Sequence, residues 1–442
     1  MHDIHIPKDI QARYLTRKSP LGMAFLGLAV LGFGAFAFLL TSDPNRAWEA
    51  YASNWLFWTS IAQGAVMLAV VTVIVKAKWN WSVRRISLAF GAFLPIAFLL
   101  VIPMLLGLRE DYFPWLGDMA TDTTVAKKLA YLNLPFLISR TVVGLLVLFT
   151  MSLIFMYFAL RPDMGPDRAG DEEGDGGRAR WRERLSGGWA GQEKEEARSW
   201  ARLKVLAPAM ALVYAVVMSI VATDWAMSVA PGWYSMLFPA WFFMGGFWGG
   251  ILLTALVAVL LKRAHPAFDE DMGPQQLHDL GKLSFAFSIF WAYLVFSQYI
   301  VIWYGQQPWE QSWVIARSGS EWGGLSLAMI TLCFFVPFVG LLGRKPKMIP
   351  AWLGTIAVLG LAGLWLERFI LIAPSLHESG TPTLTLWEPL IALGFFGLFA
   401  FTVRWFLTTF PVIQKWQHPQ EPESIEAELP PEEARLVGSR GR

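Results

Sequence analysis

The chain has 442 residues, of which 55% are hydrophobic and only 16% are charged, and its mean hydropathy is +0.44. Soluble domains usually carry about 25% charged residues, so this composition excludes an ordinary soluble protein. The net charge of +2 gives no basis for nucleic-acid binding, and the single cysteine, Cys333, excludes an intramolecular disulfide or a cysteine-ligated cluster held by this chain alone.

Ten apolar blocks are long enough to cross a bilayer as helices, which requires about 20 residues each. Helices are expected because lipid cannot satisfy open strand edges. The first block has no small-residue cleavage site behind it, and we interpret it as a true span. The predicted spans 1 to 10 are 21–40, 54–75, 86–107, 135–160, 205–223, 235–261, 281–304, 322–342, 350–372 and 388–409. The sequence therefore predicts an all-α integral membrane protein with about ten transmembrane helices.

Basic residues mark one side of the membrane, because Lys and Arg accumulate in short cytoplasmic loops. The segments on the same side as the N-terminus carry 27 of them. The opposite segments carry five, which are Arg46, Arg109, Lys127, Lys128 and Arg317. This asymmetry predicts that both termini are cytoplasmic.

Two regions are too polar to be spans. The segment 161–204 is rich in Gly, Arg and Glu, and we interpret it as a solvated, partly disordered cytoplasmic linker; a surface helix at about 190–204 leading into span 5 is the alternative. The tail after Pro411 is acidic and proline-rich, which is typical of a segment that is disordered or laid on a partner. The predicted organisation is a cytoplasmic N-terminal segment (1–20), spans 1–4 (21–160), the linker (161–204), spans 5–10 (205–409) and a cytoplasmic tail (410–442).

A short internal repeat relates spans 3 and 7. Residues 85–90 and 282–287 both read basic, apolar, Ser, apolar, Ala, Phe, although six positions can also match by chance. As a repeat, they predict two four-helix bundles with the same orientation, spans 2–5 and spans 6–9, flanked by spans 1 and 10. Small residues at four-residue spacing also predict close helix packing on span 6: Gly245, Gly246, Gly249 and Gly250.

Several kinds of redox and nucleotide site have no counterpart in this sequence. None of the six histidines falls inside a predicted span, so we expect no pair of helical imidazoles to ligate a b-type haem. There is no Cys-x-x-Cys-His for covalent haem, no phosphate-binding loop and no cluster of metal ligands. We therefore expect no metal or covalent cofactor, and any redox role would require electrons to pass to another chain.

Ionisable side chains within the spans are candidates for function, because charge is costly in the bilayer. Four are predicted to lie within roughly 10 Å of the outer face: Arg140, Asp224, Glu367 and Arg368. Gln298 and Tyr299 on span 7 lie at a similar depth. Arg404, in the inner part of span 10, is expected only to extend its guanidinium towards the interface.

Because these polar residues lie at one depth, they favour a pocket for a quinol. Quinol oxidation needs hydrogen-bond partners for two oxygens and a carboxylate as proton acceptor, for which Asp224 and Glu367 are the candidates. The structural alternative is that Arg140 pairs with Asp224 or Glu367, while the tryptophans form an interfacial belt. Because Glu367 and Arg368 are consecutive, they point about 100° apart on a helix, and we expect them to have different partners.

Two stretches of sequence resemble a known family. Residues 224–235 (DWAMSVAPGWYS), followed by the glycine-rich span 6, resemble the signature of the polysulfide-reductase-like (NrfD-like) membrane subunits of bacterial alternative complex III. On span 7, FWAY (290–293), FSQY (296–299) and IWY (302–304) resemble the same family. The similarity is strongest over roughly residues 200–370 and is closer to the shorter of two paralogous subunits, quinone-binding subunit 2. The family commonly has two glutamates after the proline at 308, whereas this chain has Glu310 followed by Gln311.

The resemblance implies ten helices in two four-helix bundles, within a quinol:cytochrome c oxidoreductase of the bacterial inner membrane. The implied ligand is quinol or quinone; the implied partners are a paralogous NrfD-like membrane subunit, an iron–sulfur subunit and haem c subunits, with membrane lipid and without nucleic acid. The residues that match motif positions are Asp224, Trp225, Ser228, Trp233, Ser235, Ser297, Gln298, Tyr299, Trp303 and Tyr304.

Taken together, these considerations select Asp224 and Glu367 as candidate catalytic residues. The candidates for the quinol site or proton path are Arg140, Trp225, Ser297, Gln298, Tyr299 and Arg368. Two other functions remain open at this stage. A secondary transporter of two parallel bundles would need broken helices and an ion site at the midplane, which the ionisable groups avoid; a structural anchor would have no site of its own.

Overall fold

The computed structural model describes residues 6–7, 10, 13–16, 19–107, 112–117, 123–166, 176–264, 266–376 and 383–417. Within these ranges the fold is all-α, without strands, and ten helices are long and apolar enough to cross a membrane. Spans 1 to 10 are Leu21–Ser42, Pro44–Ile74, Arg84–Gly107, Leu134–Met164, Gln192–Met227, Phe238–Ala264, Pro274–Gly305, Gly323–Gly340, Pro350–Leu376 and Trp387–Thr409. The predicted all-α membrane fold with ten spans is confirmed.

The first and last described segments lie on one face of the helix array. The backbone N–H of Leu15 donates to the carbonyl of Leu407, and that of Val412 donates to the carbonyl of Arg13. Arg13 also forms an ion pair with Asp271, which follows span 6 (3.0 Å). This face is called inner below, and the opposite face outer.

The spans form two four-helix units with the membership that the repeat predicts. In each unit consecutive spans pack side by side, and the first span also packs against the fourth, in spans 2–5 and again in spans 6–9. The two units meet mainly between spans 2 and 6, which hold equivalent positions in the repeat. Spans 1 and 10 pair with each other and pack against span 2.

Glycines allow the two units to approach at backbone distance. A Cβ on Gly64 of span 2 would lie 2.1 Å from the carbonyl oxygen of Gly246, and one on Gly250 would lie 2.2 Å from the backbone nitrogen of Ala65. No side chain fits at such distances, so this contact depends on the glycine spacing of span 6. The close packing that the sequence predicts here is confirmed.

Span 5 begins earlier than the sequence predicts, at Gln192 instead of residue 205. The first turns of this helix are buried around Glu195, which forms a bidentate ion pair with Arg161: Nε to Oε2 is 2.6 Å and Nη2 to Oε1 is 2.9 Å. A second helix, Gly176–Ser186, precedes it. The interpretation of these residues as a solvated linker is therefore wrong for 192–204, where the alternative of a helix leading into span 5 is correct. One of their charged side chains, Glu195, binds the end of span 4 through Arg161.

Candidate functional site

Glu367 and Arg368 of span 9 form an ion pair that is sealed between helices of the second unit. Nη1 of Arg368 lies 2.6 Å from Oε2 of Glu367, and the two residues are 1% and 0% exposed, respectively. Nη2 of Arg368 donates to the carbonyl oxygen of Phe242 on span 6 (2.8 Å), and the guanidinium lies 3.9 Å from the centroid of the Phe242 ring. The positive charge is thereby enclosed by one carboxylate, one carbonyl and one aromatic face.

The expectation that these neighbours would have different partners is wrong. Consecutive helical side chains do leave the backbone about 100° apart, but the long Arg368 side chain folds back to the adjacent carboxylate. An unpaired ion in a protein interior is strongly unfavourable, and each residue is the ion-pair partner of the other. The length of the Arg368 side chain and the burial of both residues therefore decide their pairing, in spite of the angle of about 100° between them.

Two tryptophans and a glycine complete the surroundings of the carboxylate. The indole N–H of Trp291 on span 7 donates to Oε1 of Glu367 (2.8 Å). The buried N–H of Trp241 on span 6 approaches the same carboxylate without making a regular hydrogen bond. A Cβ on Gly245 would lie 3.2 Å from Nη2 of Arg368, so the absence of a side chain at Gly245 leaves room for the ion pair. Spans 6, 7 and 9 thus build this site together.

A cavity of about 230 Å³ lies on the outer side of this ion pair. Its walls come from spans 6, 7, 8 and 9 and from an outer helix, Pro308–Ser318, that lies between spans 7 and 8. Trp241, which borders Glu367, and Trp313 both line the cavity, and the buried N–H of Trp313 has no hydrogen-bond partner within the described structure. We refer to this space as the outer cavity. The surface that it presents is almost entirely apolar, and the buried indole N–H groups lie behind this surface.

Arg317, on the outer helix, is a polar wall residue of the outer cavity. It is 6% exposed, and its guanidinium stacks on Trp313 at 3.7 Å and donates to the carbonyl oxygens of Ile370 (3.0 Å) and Leu371 (2.8 Å) on span 9. Burial lowers the pKa of Arg317. These bonds fix the outer helix to the end of span 9 and place a cation next to the cavity.

A larger apolar groove of about 690 Å³ opens between spans 7 and 8 and shares Val295, Tyr299 and Ile330 with the outer cavity. Trp291, the hydrogen-bond donor to Glu367, lies on its wall. The middle of span 8 is a π-helical turn, Thr331–Phe335, whose residues Phe334 and Phe335 line the groove. Such turns occur often at functional sites. The groove and the outer cavity are therefore neighbours with a common wall, and the groove is also bordered by exposed side chains such as Tyr293 and Phe296.

Asp224 and Arg140 form a second buried ion pair, in the first unit. Arg140 of span 4 donates from Nε to Oδ2 of Asp224 (3.0 Å) and from Nη2 to Oδ1 (2.8 Å). Its guanidinium also lies over the rings of Tyr131 (3.9 Å) and Phe136 (4.2 Å). Asp224 is fully buried in a π-helical turn, Thr223–Met227, at the outer end of span 5. The structural alternative considered for Arg140, pairing with Asp224, is correct.

The surroundings of this second pair are also aromatic. Trp225 is fully buried and donates its indole N–H to Thr141 of span 4 (3.1 Å). The hydroxyl of Tyr112, in the loop after span 3, donates to the carbonyl oxygen of Trp225 (2.5 Å). Burial raises the pKa of Tyr112, and burial together with the Asp224 carboxylate raises the pKa of Tyr131. Both phenols therefore remain protonated around a carboxylate that Arg140 already neutralises.

The remaining candidates on span 7 face different environments. Gln298 is buried, accepts a hydrogen bond from the Ser235 hydroxyl, and separates the outer cavity from a third cavity of about 300 Å³ that Glu310 also lines. Tyr299 is 48% exposed and lines the groove and the outer cavity, whereas Ser297 is half-buried and lines none of these three spaces.

The single pocket expected from the shared depth of the polar residues is thus divided. Asp224 bonds to Arg140, Glu367 bonds to Arg368 and Trp291, and neither carboxylate lines any of the three cavities described. The sequence reasoning did not select Trp291, Trp241, Trp313 or Arg317. Arg317 carried a usable signal, since it is one of only five basic residues in the segments on the outer side.

Comparison with known proteins gives no assignment for this chain. No protein-family model matches it, and no curated protein matches it either. Among the residues that the structure describes, no group of three or more His, Cys, Asp or Glu side chains is placed to hold a metal ion. The candidate site is therefore defined by its own geometry: a buried carboxylate behind two indoles, one of which lines the outer cavity and the other the adjoining apolar groove.

Proposed function

We propose that the chain is an integral membrane subunit of a quinol:cytochrome c oxidoreductase similar to bacterial alternative complex III, and that it binds the quinol in the second unit. The observation that carries this proposal is the pair of adjoining cavities, the groove bordered by Trp291 and the outer cavity bordered by Trp241, with Glu367 behind both indoles. Ligand sites for small molecules are commonly concave and mostly apolar, with a few polar groups that fix orientation. These cavities have that character.

The groove suits an isoprenoid tail and the outer cavity suits a flat head group. The groove walls include Tyr293, Phe296 and Phe334 and open towards lipid. In this proposal the two ring oxygens bond to the indole N–H of Trp313 and to the amide of Gln298, and the Trp313 indole has to turn because its N–H is buried behind the apolar wall. Arg317 adds positive charge close to an oxygen that loses its proton.

Glu367 is the proton acceptor in this proposal. Quinol oxidation releases two protons and two electrons, and in this proposal the Glu367 carboxylate takes one proton while water at the outer face takes the other. Trp241 separates Glu367 from the outer cavity, so transfer requires this indole to move or a water molecule to bridge. The electrons pass to another subunit, and the proposed acceptors are the iron–sulfur and haem c subunits on the periplasmic side.

Asp224 is less suited to this role than Glu367. Both of its oxygens accept hydrogen bonds from Arg140, and neither Arg140 nor Tyr131 beside it lines the groove or the outer cavity, whereas the indoles beside Glu367 do. Its bidentate contact instead joins spans 4 and 5 near the outer face. We therefore assign the quinol site to the second unit and give the first-unit pair a structural role.

Replacement of Glu367 by Gln in the assembled complex tests the proposal. We expect quinol-dependent cytochrome c reduction to fall by roughly 10²-fold or more, the range lost when a general base is removed. Asp224→Asn is the matched control, with an expected loss of less than about tenfold. Turnover and proton release that are unchanged in a correctly assembled Glu367→Gln complex would contradict the assignment.

A photoreactive quinone provides a second test that does not depend on turnover. We expect it to label peptides from spans 7 and 8 that contain Tyr299 or Phe334, and excess natural quinol should suppress the labelling. A structural anchor or a solute transporter without a quinol site would show no labelling that quinol suppresses.

A further inference from the structure

A cluster of basic residues lies where spans 7 and 9 reach the inner face. Lys282 is on span 7, and Arg344 and Lys347 are on a short helix, Arg344–Met348, that connects spans 8 and 9. All three interact electrostatically with His278 of span 7. The only carboxylate among the described groups that act on His278 is Asp279, which pairs with Lys282 (2.6 Å). Three cations and one carboxylate leave an excess of two positive charges.

Packing holds this excess charge in place. Lys347 is 7% exposed, and its stem lies against Gly281, where an added Cβ would come within 2.8 Å of it. Its ammonium lies 4.8 Å from the centroid of the Phe285 ring. Burial lowers the pKa of Lys347, and the charge of Lys282 lowers it further. Like charges held this close repel each other, so an anion bound among them would stabilise the arrangement.

Aromatic side chains connect the cluster to the apolar groove. Phe285, under the Lys347 ammonium, stacks on Phe338 of span 8 (5.7 Å between centroids, 19° between planes). Phe338 in turn contacts Phe334 (5.2 Å), which lines the groove with Ile289. An apolar surface therefore runs from the cations along spans 7 and 8 towards the middle of the membrane.

We propose that this cluster binds the phosphate group of an anionic phospholipid, whose acyl chains lie against spans 7 and 8. The excess positive charge favours an anionic ligand. The apolar surface beside it favours an anion that carries acyl chains. Basic pockets at the ends of transmembrane helices bind anionic lipid head groups by this combination. Phospholipid binding here does not depend on whether a quinol occupies the outer half of the groove.

The test uses the full chain in detergent and the double variant Lys282→Gln, Arg344→Gln. Both side chains project into solvent, so folding should be retained. The probes are micelles doped with phosphatidylglycerol or with phosphatidylcholine. We expect phosphatidylglycerol to raise the melting temperature of the natural chain more than phosphatidylcholine does. We also expect its apparent affinity to fall on the order of 25-fold in the double variant, at about fivefold per charge removed.

Lys76→Gln, Lys78→Gln is the matched control, because it removes the same charge from the inner end of span 2. It should bind phosphatidylglycerol as the natural chain does. Native mass spectrometry of the purified chains should show one retained anionic lipid fewer in the Lys282, Arg344 variant than in this control. An equal loss of phosphatidylglycerol affinity in both variants would show that any basic residues of the inner face attract this lipid, and it would overturn the proposal. Stabilisation by inorganic phosphate equal to that by phosphatidylglycerol would identify a free anion and would also overturn it.

Discussion

In the first four-helix unit, the ion pair joins two helices, because Arg140 comes from span 4 and Asp224 from span 5. In the second unit, Glu367 and Arg368 are consecutive residues of one helix, so their ion pair connects no two spans. Arg140 also sits close to the surface under two aromatic rings, whereas Arg368 is enclosed by span 6. The same chemical pair is therefore used in two ways.

This difference indicates which carboxylate is available for chemistry. A bidentate pair between helices contributes to packing and loses that contribution when the carboxylate is protonated or either member is moved. The pair within one helix joins no two spans by itself, and the bonds between helices at this site are those from Arg368 to Phe242 and from Trp291 to Glu367. Buried ion pairs are weak stabilisers relative to apolar residues of similar size, so a contribution to stability does not by itself explain the presence of Glu367 and Arg368.

The largest expected effect follows from separating the members of the second pair. Arg368→Met leaves Glu367 buried without its cation, and we expect a loss of about 3–5 kcal/mol in the free energy of unfolding. The double variant Glu367→Gln, Arg368→Met removes both charges and should recover most of this loss while remaining inactive with quinol. Thermal or denaturant unfolding of the full chain in lipid nanodiscs measures both. A double variant as unstable as the single one would show that this pair does hold helices together.

The first pair should respond differently to the same design. Arg140→Met removes two hydrogen bonds to a carboxylate, each of which stabilises by about 1.5–3 kcal/mol when buried. Because the Arg140 side chain is partly exposed (8%), water can enter beside the buried Asp224 once the guanidinium is removed, so we expect a total loss of only about 2–3 kcal/mol. The double variant Arg140→Met, Asp224→Asn should be no more stable than Arg140→Met alone, because the connection between spans 4 and 5 remains broken. Recovery in this double variant would remove the distinction between the two units.

The sequence predicts the helices that carry these ion pairs better than it predicts which residues pair. Apolar length and glycine spacing are local properties, so the sequence predicts the ten spans and the close packing on span 6, although it does not identify Gly64 as the partner of Gly246. The partner of Glu367 could not, because it depends on how far the Arg368 side chain reaches and on what span 6 places around it. The start of span 5 was missed for a related reason: the charges of Glu195 and Arg161 neutralise each other only in the folded chain.

The tryptophans that donate to each site allow a smaller test of the comparison. Trp291→Phe removes a hydrogen bond to the charged Glu367 and should cost about 1.5–2 kcal/mol, whereas Trp225→Phe removes one to the neutral hydroxyl of Thr141 and should cost about 1 kcal/mol. Only Trp291→Phe should also lower quinol oxidation, because Trp291 borders the groove. Measuring the free energy of unfolding and the turnover on the same preparations separates the loss of stability from the loss of activity. Equal losses of turnover would argue against a quinol site confined to the second unit.

The smallest expected effect is at Gly245, where the ion pair can be displaced without removing charge. Gly245→Ala would place a methyl group 3.2 Å from Nη2 of Arg368, a distance that a side-chain end can relieve by moving a few tenths of an ångström. Alanine also favours the helix by about 0.5–1 kcal/mol, so the net change in stability should be within about 1 kcal/mol. Gly246→Ala is the matched contrast, because its methyl group would meet the backbone of Ser60 at 2.9 Å, which cannot move away so easily.

If Glu367 must be positioned for proton transfer, Gly245→Ala should lower turnover while Gly27→Ala, at a site with no atom within 4 Å, leaves it unchanged. A fully active and stable Gly245→Ala chain would show that the position of the Glu367–Arg368 pair does not limit the reaction.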